Sequence, residues 1–201
     1  MTSILSQADM KQPIARAPLQ TFVAVPTAPS PSGGTHLPHE QSLARQILHN
    51  LQHQHYWTGL QVHTHSPLTD EPLPRPLVSG LPPQRLYVHP DEQVELLKKA
   101  DRERKARAAG EAGGLDVRTE PEREWILPTR LNEKWTLRRL AGVFDALTMV
   151  PPATETPAAA AEEGLASPWR TTKRVLLATA DTDSTVVYYI VHDGVVKPRQ
   201  N

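Results

Sequence analysis

The sequence predicts a mixed α/β chain, an α+β arrangement in which one mixed sheet is flanked by helices. Three segments repeat apolar residues at helical spacing, five or six short runs are rich in β-formers, and a hairpin apolar on both faces lies near the C-terminal end. The 201 residues suit one domain plus some unfolded length. The 20 prolines each remove a backbone donor and fix φ, so the expected core is smaller than the length implies.

Residues 1–35 carry Pro13, Pro18, Pro26, Pro29, Pro31 and the Gly33-Gly34 pair, which predicts a disordered Pro-rich tail ahead of a folded domain at 36–201. From 38 to 55, Leu43, Ile47, Leu48 and Leu51 form the stripe of an amphipathic helix. Trp57, Leu60 and Val62 predict a strand ending near His65. Leu77–Ser79 and Arg85–Val88 are two further strand candidates, separated by Leu81-Pro82-Pro83. Pro90-Asp91-Glu92 opens a second helix, since proline needs no donor in a first turn and acids there oppose the helix dipole. Residues 100–122 read as a flexible insertion, with Gly110–Gly114 ending the helix inside it. Trp125–Leu127 is a brief strand that Pro128 is expected to stop. Thr136 then caps a third helix with Leu137, Leu140, Ala141, Phe144 and Leu147 on one face. Residues 149–168, with Pro151, Pro152, Pro157 and Pro168, read as a second flexible surface insertion.

The last segment is the most informative. Arg174–Ala180 and Thr185–Val191 form a hairpin around Asp181-Thr182-Asp183-Ser184. Val186, Tyr188 and Ile190 face one side, and Val187, Tyr189 and Val191 the other. Cover on both faces is therefore expected, either at a sheet centre or against another chain. Asp193-Gly194 turns the chain into a short Val195-Val196 run.

Acidic and basic residues balance at 22 each, so no global field draws the chain toward nucleic acid. The absence of cysteine excludes disulfides, thiolate metal sites and cysteine nucleophiles. The first residues show neither a basic start nor an apolar run, and no stretch has the length and apolarity of a membrane span. A soluble intracellular chain without membrane insertion is the expectation.

The string from Ala180 to Gly194, an acidic loop followed by Ser-Thr-Val-Val-Tyr-Tyr and then Asp-Gly, resembles the small non-catalytic subunit of the eukaryotic tRNA-splicing endonuclease. Tyr87–Glu92 and Glu124–Pro128 resemble its fungal type. The resemblance implies a fold like the tRNA-intron endonuclease catalytic domain and a role in removing introns from pre-tRNA. It also implies a complex of four different subunits. This one pairs with the catalytic subunit that cuts the 3′ splice site, alongside a second catalytic subunit and another structural one, and meets pre-tRNA through the complex. On that reading the interface strands carry Val187, Tyr188, Tyr189, Val191, Val195 and Val196. Asp181, Asp183 and Ser184 form a loop docked on the opposite catalytic pair. The location implied is the nucleus or, as in some fungi, the cytosolic face of the mitochondrial outer membrane. A homodimer is the expected alternative when the proper partner is missing.

Catalytic subunits of this family cut RNA with a Tyr, a His and a Lys and need no metal or other cofactor. Lys173 lies where that Lys aligns, yet residues 90 to 187 contain neither His nor Tyr, which points to a chain without a catalytic residue. A diverged nuclease built from His63, His65 or His89 with Tyr87 is the enzyme alternative. His49 and His53 have metal-ligand spacing, but with no acid nearby and no Cys they read as solvated rather than as a metal site. Lys98, Lys99 and Arg102 sit in a basic helical run that either contacts RNA or forms a solvated face interleaved with Glu95, Asp101 and Glu103. A stand-alone RNA-binding module is the remaining alternative. Asp181 and Asp183 are simple turn residues if the resemblance is set aside.

Overall fold

The structure is a computed structural model that describes residues 17, 20–21, 36–106, 119–148, 169–170 and 172–196. Most of the proposed N-terminal tail, residues 107–118 of the first insertion and the whole second insertion at 149–168 lie outside the described residues. Among the described residues, helices α1 (Pro38–Gln54), α2 (Pro90–Ala106) and α3 (Leu137–Ala146) accompany strands β1 (Thr58–His65), β2 (Pro72–Leu81), β3 (Glu124–Arg130), β4 (Arg174–Ala180) and β5 (Val186–His192). The strands form one sheet in the order β1-β2-β3-β4-β5, antiparallel except where β3 meets β4. The mixed α/β class is therefore what the residue pattern indicated.

A single row of residues shows how alternation builds the core. Val78 pairs with Ile126, Ile126 with Leu176, and Leu176 with Ile190, so one face of the sheet carries an apolar band across four strands. Helix α1 covers that face with Leu43, Ala44, Ile47 and Leu51, each buried. Burying such Leu and Ile side chains stabilises by about 1.5–3 kcal/mol apiece, which makes α1 the main lid on this side. The opposite face carries Leu77, Trp125, Leu127 and Val175 beneath Val143, Phe144 and Leu147 of the α3 segment.

Local sequence explains the element ends. Pro38 opens α1 at a position that needs no donor, and Tyr56 in a left-handed conformation (φ 57°) lets Trp57 N–H return to the Leu51 carbonyl at 3.0 Å. Thr136 caps α3 by accepting from Arg139 N–H at 3.2 Å. Gly59 has φ 55°, a left-handed conformation that favours glycine, and a Cβ there would also push against Arg123 Nη1 at 2.7 Å.

The structure corrects four expectations. Arg85–Val88 is no strand but an irregular lead into α2, while Leu77–Ser79 belongs to a longer strand reaching back to Pro72. Pro128 does not stop β3. The β2–β3 ladder runs from Gly80 opposite Glu124 to Val78 opposite Ile126 and stops short of Pro128, while β3 runs on beside β4 to Arg130, so the missing donor interrupts no bond of the β2–β3 ladder. On α3, Leu137 and Ala141 are exposed; Leu140, Val143, Phe144 and Leu147 turn inward instead. Val195-Val196 lies beyond β5 and forms no strand. No described helix is long and apolar enough to cross a membrane.

Candidate functional site

Strand β5 lies at the outer edge of the sheet, hydrogen-bonded to β4 on one side only. Its residues alternate as the sequence predicted, yet none is fully buried. Val186, Tyr188 and Ile190 lean on the α1 side of the core, and Val191 leans on the α3 side. Val187 and Tyr189 are left 45% and 58% exposed. Among the described residues, the outer row of β5 backbone donors and acceptors has no strand to pair with, and an apolar edge in that state is a template for another chain.

The two tyrosines separate cleanly. Tyr188 donates its hydroxyl to Asn50 Oδ1 of α1 at 2.5 Å and meets His55 edge-on, and burial pushes its phenol well above the ordinary range. It pins the hairpin to α1. Tyr189, on the opposite face, is the exposed one. Val195 is exposed and Val196 half-buried just past the strand.

The hairpin loop is held by its own polar side chains. Asp181 N–H donates to the Thr185 carbonyl at 2.9 Å, and Asp183 Oδ1 accepts from Thr185 N–H at 2.9 Å. That backbone bond holds the Asp183 carboxyl below the usual range, so it stays ionised at neutral pH. Ser184 sits at φ 72°, a left-handed position where its short side chain is tolerated. The turn role of both aspartates is thus real, and the loop still presents Asp183 to solvent at the tip of the hairpin.

Helix α2 carries Lys98, Lys99 and Arg102 exposed and without an ion pair among the described residues. Of the acids interleaved with them, Asp101 alone pairs within the helix, with Arg104 (2.9 Å) and Lys105 (2.6 Å). Glu92 and Ala100 are its buried positions, while Val94 and Leu97 remain exposed.

The histidines do not converge. The rings of His49 and His53 lie 4.4 Å apart on α1, tilted by 48°, and burial first, then His53, lowers the His49 pKa. No metal-holding cluster of His, Cys, Asp or Glu occurs among the described residues. His63 lies edge-on to Trp125 beside Ser79 (2.8 Å), and burial followed by the charge of Arg123 lowers its pKa to about 4. Arg123 Nη2 donates to the Ser79 oxygen (3.2 Å) and to the Gly59 carbonyl (2.8 Å). With its oxygen accepting from Arg123, Ser79 is free to donate its hydroxyl to Nε2 of a neutral His63. Tyr87 and His89 lie elsewhere, in a recess that they share with Trp169, Arg170, Arg174 and His192. Lys173, expected to be solvated, is half-buried and donates to the Phe144 carbonyl at 2.8 Å, placing a cation on the last turn of α3.

One feature went unseen in the sequence. Arg85, Arg170 and Arg174 interlock with Glu92, Glu122 and Glu124 through bonds that include Arg85 to Glu92 (2.8 Å), Arg85 to Glu122 (2.7 Å) and Arg170 to Glu124 (2.9 Å). The available signal was the alternation of Glu122 and Glu124 ahead of an apolar strand and an Arg opening another. Which charges meet across some fifty positions is a property of the β3–β4 pairing.

A family model described as Sen15 protein matches residues 46–201. A Neurospora crassa protein named probable tRNA-splicing endonuclease subunit tsp-1 is 46% identical over 166 residues, covering 81% of this chain and 67% of its own length.

Proposed function

The chain belongs to the Sen15 family and is a tRNA-splicing endonuclease subunit, and from that premise we propose that it is a structural, non-catalytic one. Its place in the complex is set by strand addition. The outer edge of β5 pairs with a catalytic subunit, the one that cuts the 3′ splice site, and Val187 and Tyr189 are covered by it. The observation that carries this reading is the open edge strand, apolar on both faces and nowhere fully buried. Asp181 and Asp183 project from the same hairpin and dock on a basic surface of the opposite catalytic pair. Charges so placed contribute orientation and association rate more than affinity. The second catalytic subunit and another structural subunit complete the assembly, and a homodimer through β5 forms when partners are missing.

The non-catalytic reading is supported by the stretch from 90 to 187 without His or Tyr and by Lys173, whose ammonium is held by the Phe144 carbonyl. The exposed cations Lys98, Lys99 and Arg102 supply an auxiliary contact to pre-tRNA phosphates in the assembled enzyme. The complex acts in the nucleus or at the cytosolic face of the mitochondrial outer membrane.

Co-expression with the other subunits tests the assignment. Val187→Lys with Tyr189→Asp is expected to abolish co-purification of the catalytic partner while leaving the circular dichroism of the chain unchanged. Asp181→Lys with Asp183→Lys is expected to keep that partner and lose the opposite pair. Full assembly and accurate intron excision by both variants would sink the proposal.

A further inference from the structure

Beside the charge network, Tyr87, His89, Trp169, Arg170, Arg174 and His192 surround a small recess, partly open to solvent, whose water-accessible volume is about 40 Å³. Its walls are aromatic. Tyr87 meets His192 edge-on at 4.7 Å, His89 stacks on Trp169 at 5.7 Å, and the Arg174 guanidinium lies 5.4 Å from the Tyr87 ring centre. Three lining residues each keep a buried polar atom without a hydrogen-bond partner: the Tyr87 hydroxyl, His192 Nε2 and Arg170 Nε. The Arg170 side chain is only 1% exposed. Such groups are costly to leave unmatched, and three around one recess point to a ligand.

The chemistry of the orphans specifies its class. A guanidinium Nε–H only donates, whereas a phenol hydroxyl and an imidazole nitrogen can each donate or accept, so an acceptor is the ligand class that satisfies all three. No carboxylate lines the recess. Glu122 and Glu124 hold the Arg170 Nη atoms and leave Nε over. Burial first, then the charges of Arg174 and Arg170, lower the pKa of His192. Donors contributed by separate chain segments suit a tetrahedral oxyanion better than a planar carboxylate. Thr172 also lines the recess.

We propose that this recess binds a phosphate group, with Arg170 Nε–H, the Tyr87 hydroxyl and His192 Nε2–H as its donors. The site belongs to the isolated chain and does not rest on the assembly reading, so it is tested without partners. Inorganic phosphate is titrated into the full-length ¹⁵N-labelled chain at constant ionic strength, following the Arg170 Nε–H and His192 ring signals. Saturable shifts are expected, and Tyr87→Phe and His192→Leu are each expected to weaken binding about tenfold, the loss of one charge-assisted hydrogen bond. A short RNA oligonucleotide that displaces phosphate at tenfold lower concentration assigns the site to backbone phosphate; one that does not compete assigns it to the free ion. The Arg170 signal of the unaltered chain keeps the test decisive even if a variant fails to fold. Absence of a saturable shift, an equal response to acetate, or undiminished binding by both folded variants overturns the proposal and leaves a recess that holds water.

Discussion

Replacing Glu124 by Gln changes shape hardly at all and removes one charge from a sealed network. The Glu124 side chain is 4% exposed and accepts from Arg170 Nη2 at 2.9 Å, from Arg174 Nε at 3.0 and 3.2 Å, and from Arg174 Nη2 at close range. Arg85, Arg170 and Arg174 are matched in charge by Glu92, Glu122 and Glu124, so the substitution leaves one buried positive charge uncompensated. Breaking a buried pair in this way costs about 3–5 kcal/mol, a large share of the roughly 5–15 kcal/mol that keeps a domain folded. At about 2–4 °C per kcal/mol for a chain of this size, Tm is expected to fall by about 6–20 °C. Thermal and urea unfolding followed by circular dichroism reads this directly. Asp101→Asn, which breaks an exposed helical pair, is the control and is expected to leave Tm unchanged. Adding Arg174→Met to Glu124→Gln is expected to recover part of the loss, because it withdraws the stranded charge. If Glu124→Gln shifts Tm no more than Asp101→Asn does, the network is well solvated and the reasoning fails.

Three further outcomes follow from the same geometry. His63 titrates near 4 when folded and near 6.5 when unfolded, so the unfolded chain binds the extra proton between those values. Its contribution to stability is flat above about pH 6.5, falls as pH drops toward 4 and levels off below, for a loss of up to about 3 kcal/mol. His63→Gln should flatten that part of a stability–pH curve, and an unaltered slope would show that His63 is not the group responsible. Gly80→Ala places a Cβ 2.6 Å from Leu60 Cδ2 and 3.1 Å from the Trp57 ring; overpacking of this kind costs about 1–3 kcal/mol, read as a lower urea midpoint with unchanged m. Lys173→Met removes the cation from the Phe144 carbonyl and is expected to cost about 1 kcal/mol, with faster amide exchange in the last turn of α3 as the accompanying sign.

What the sequence determined by itself was everything carried by short-range pattern. Helical spacing marked Leu43, Ile47 and Leu51, alternation marked Val186 through Val191, and Thr136 and Pro90 marked helix starts, because periodicity and capping act within a few residues of chain. The ordered string from Asp181 to Gly194 identified the family by residues alone. Pattern could not tell that the two-faced strand β5 lies at the sheet edge, since an apolar strand looks the same at a centre or against another chain. Nor could it foresee that Pro128 lies beyond the end of the β2–β3 ladder, because a missing donor matters only where a neighbouring strand has something to accept it with. The pairing of β3 with β4 brought Glu122 and Glu124 to Arg170 and Arg174, and with them the orphaned atoms around Tyr87 and His192. Those contacts join residues dozens of positions apart, and only burial of the two faces of one sheet decides which of them meet.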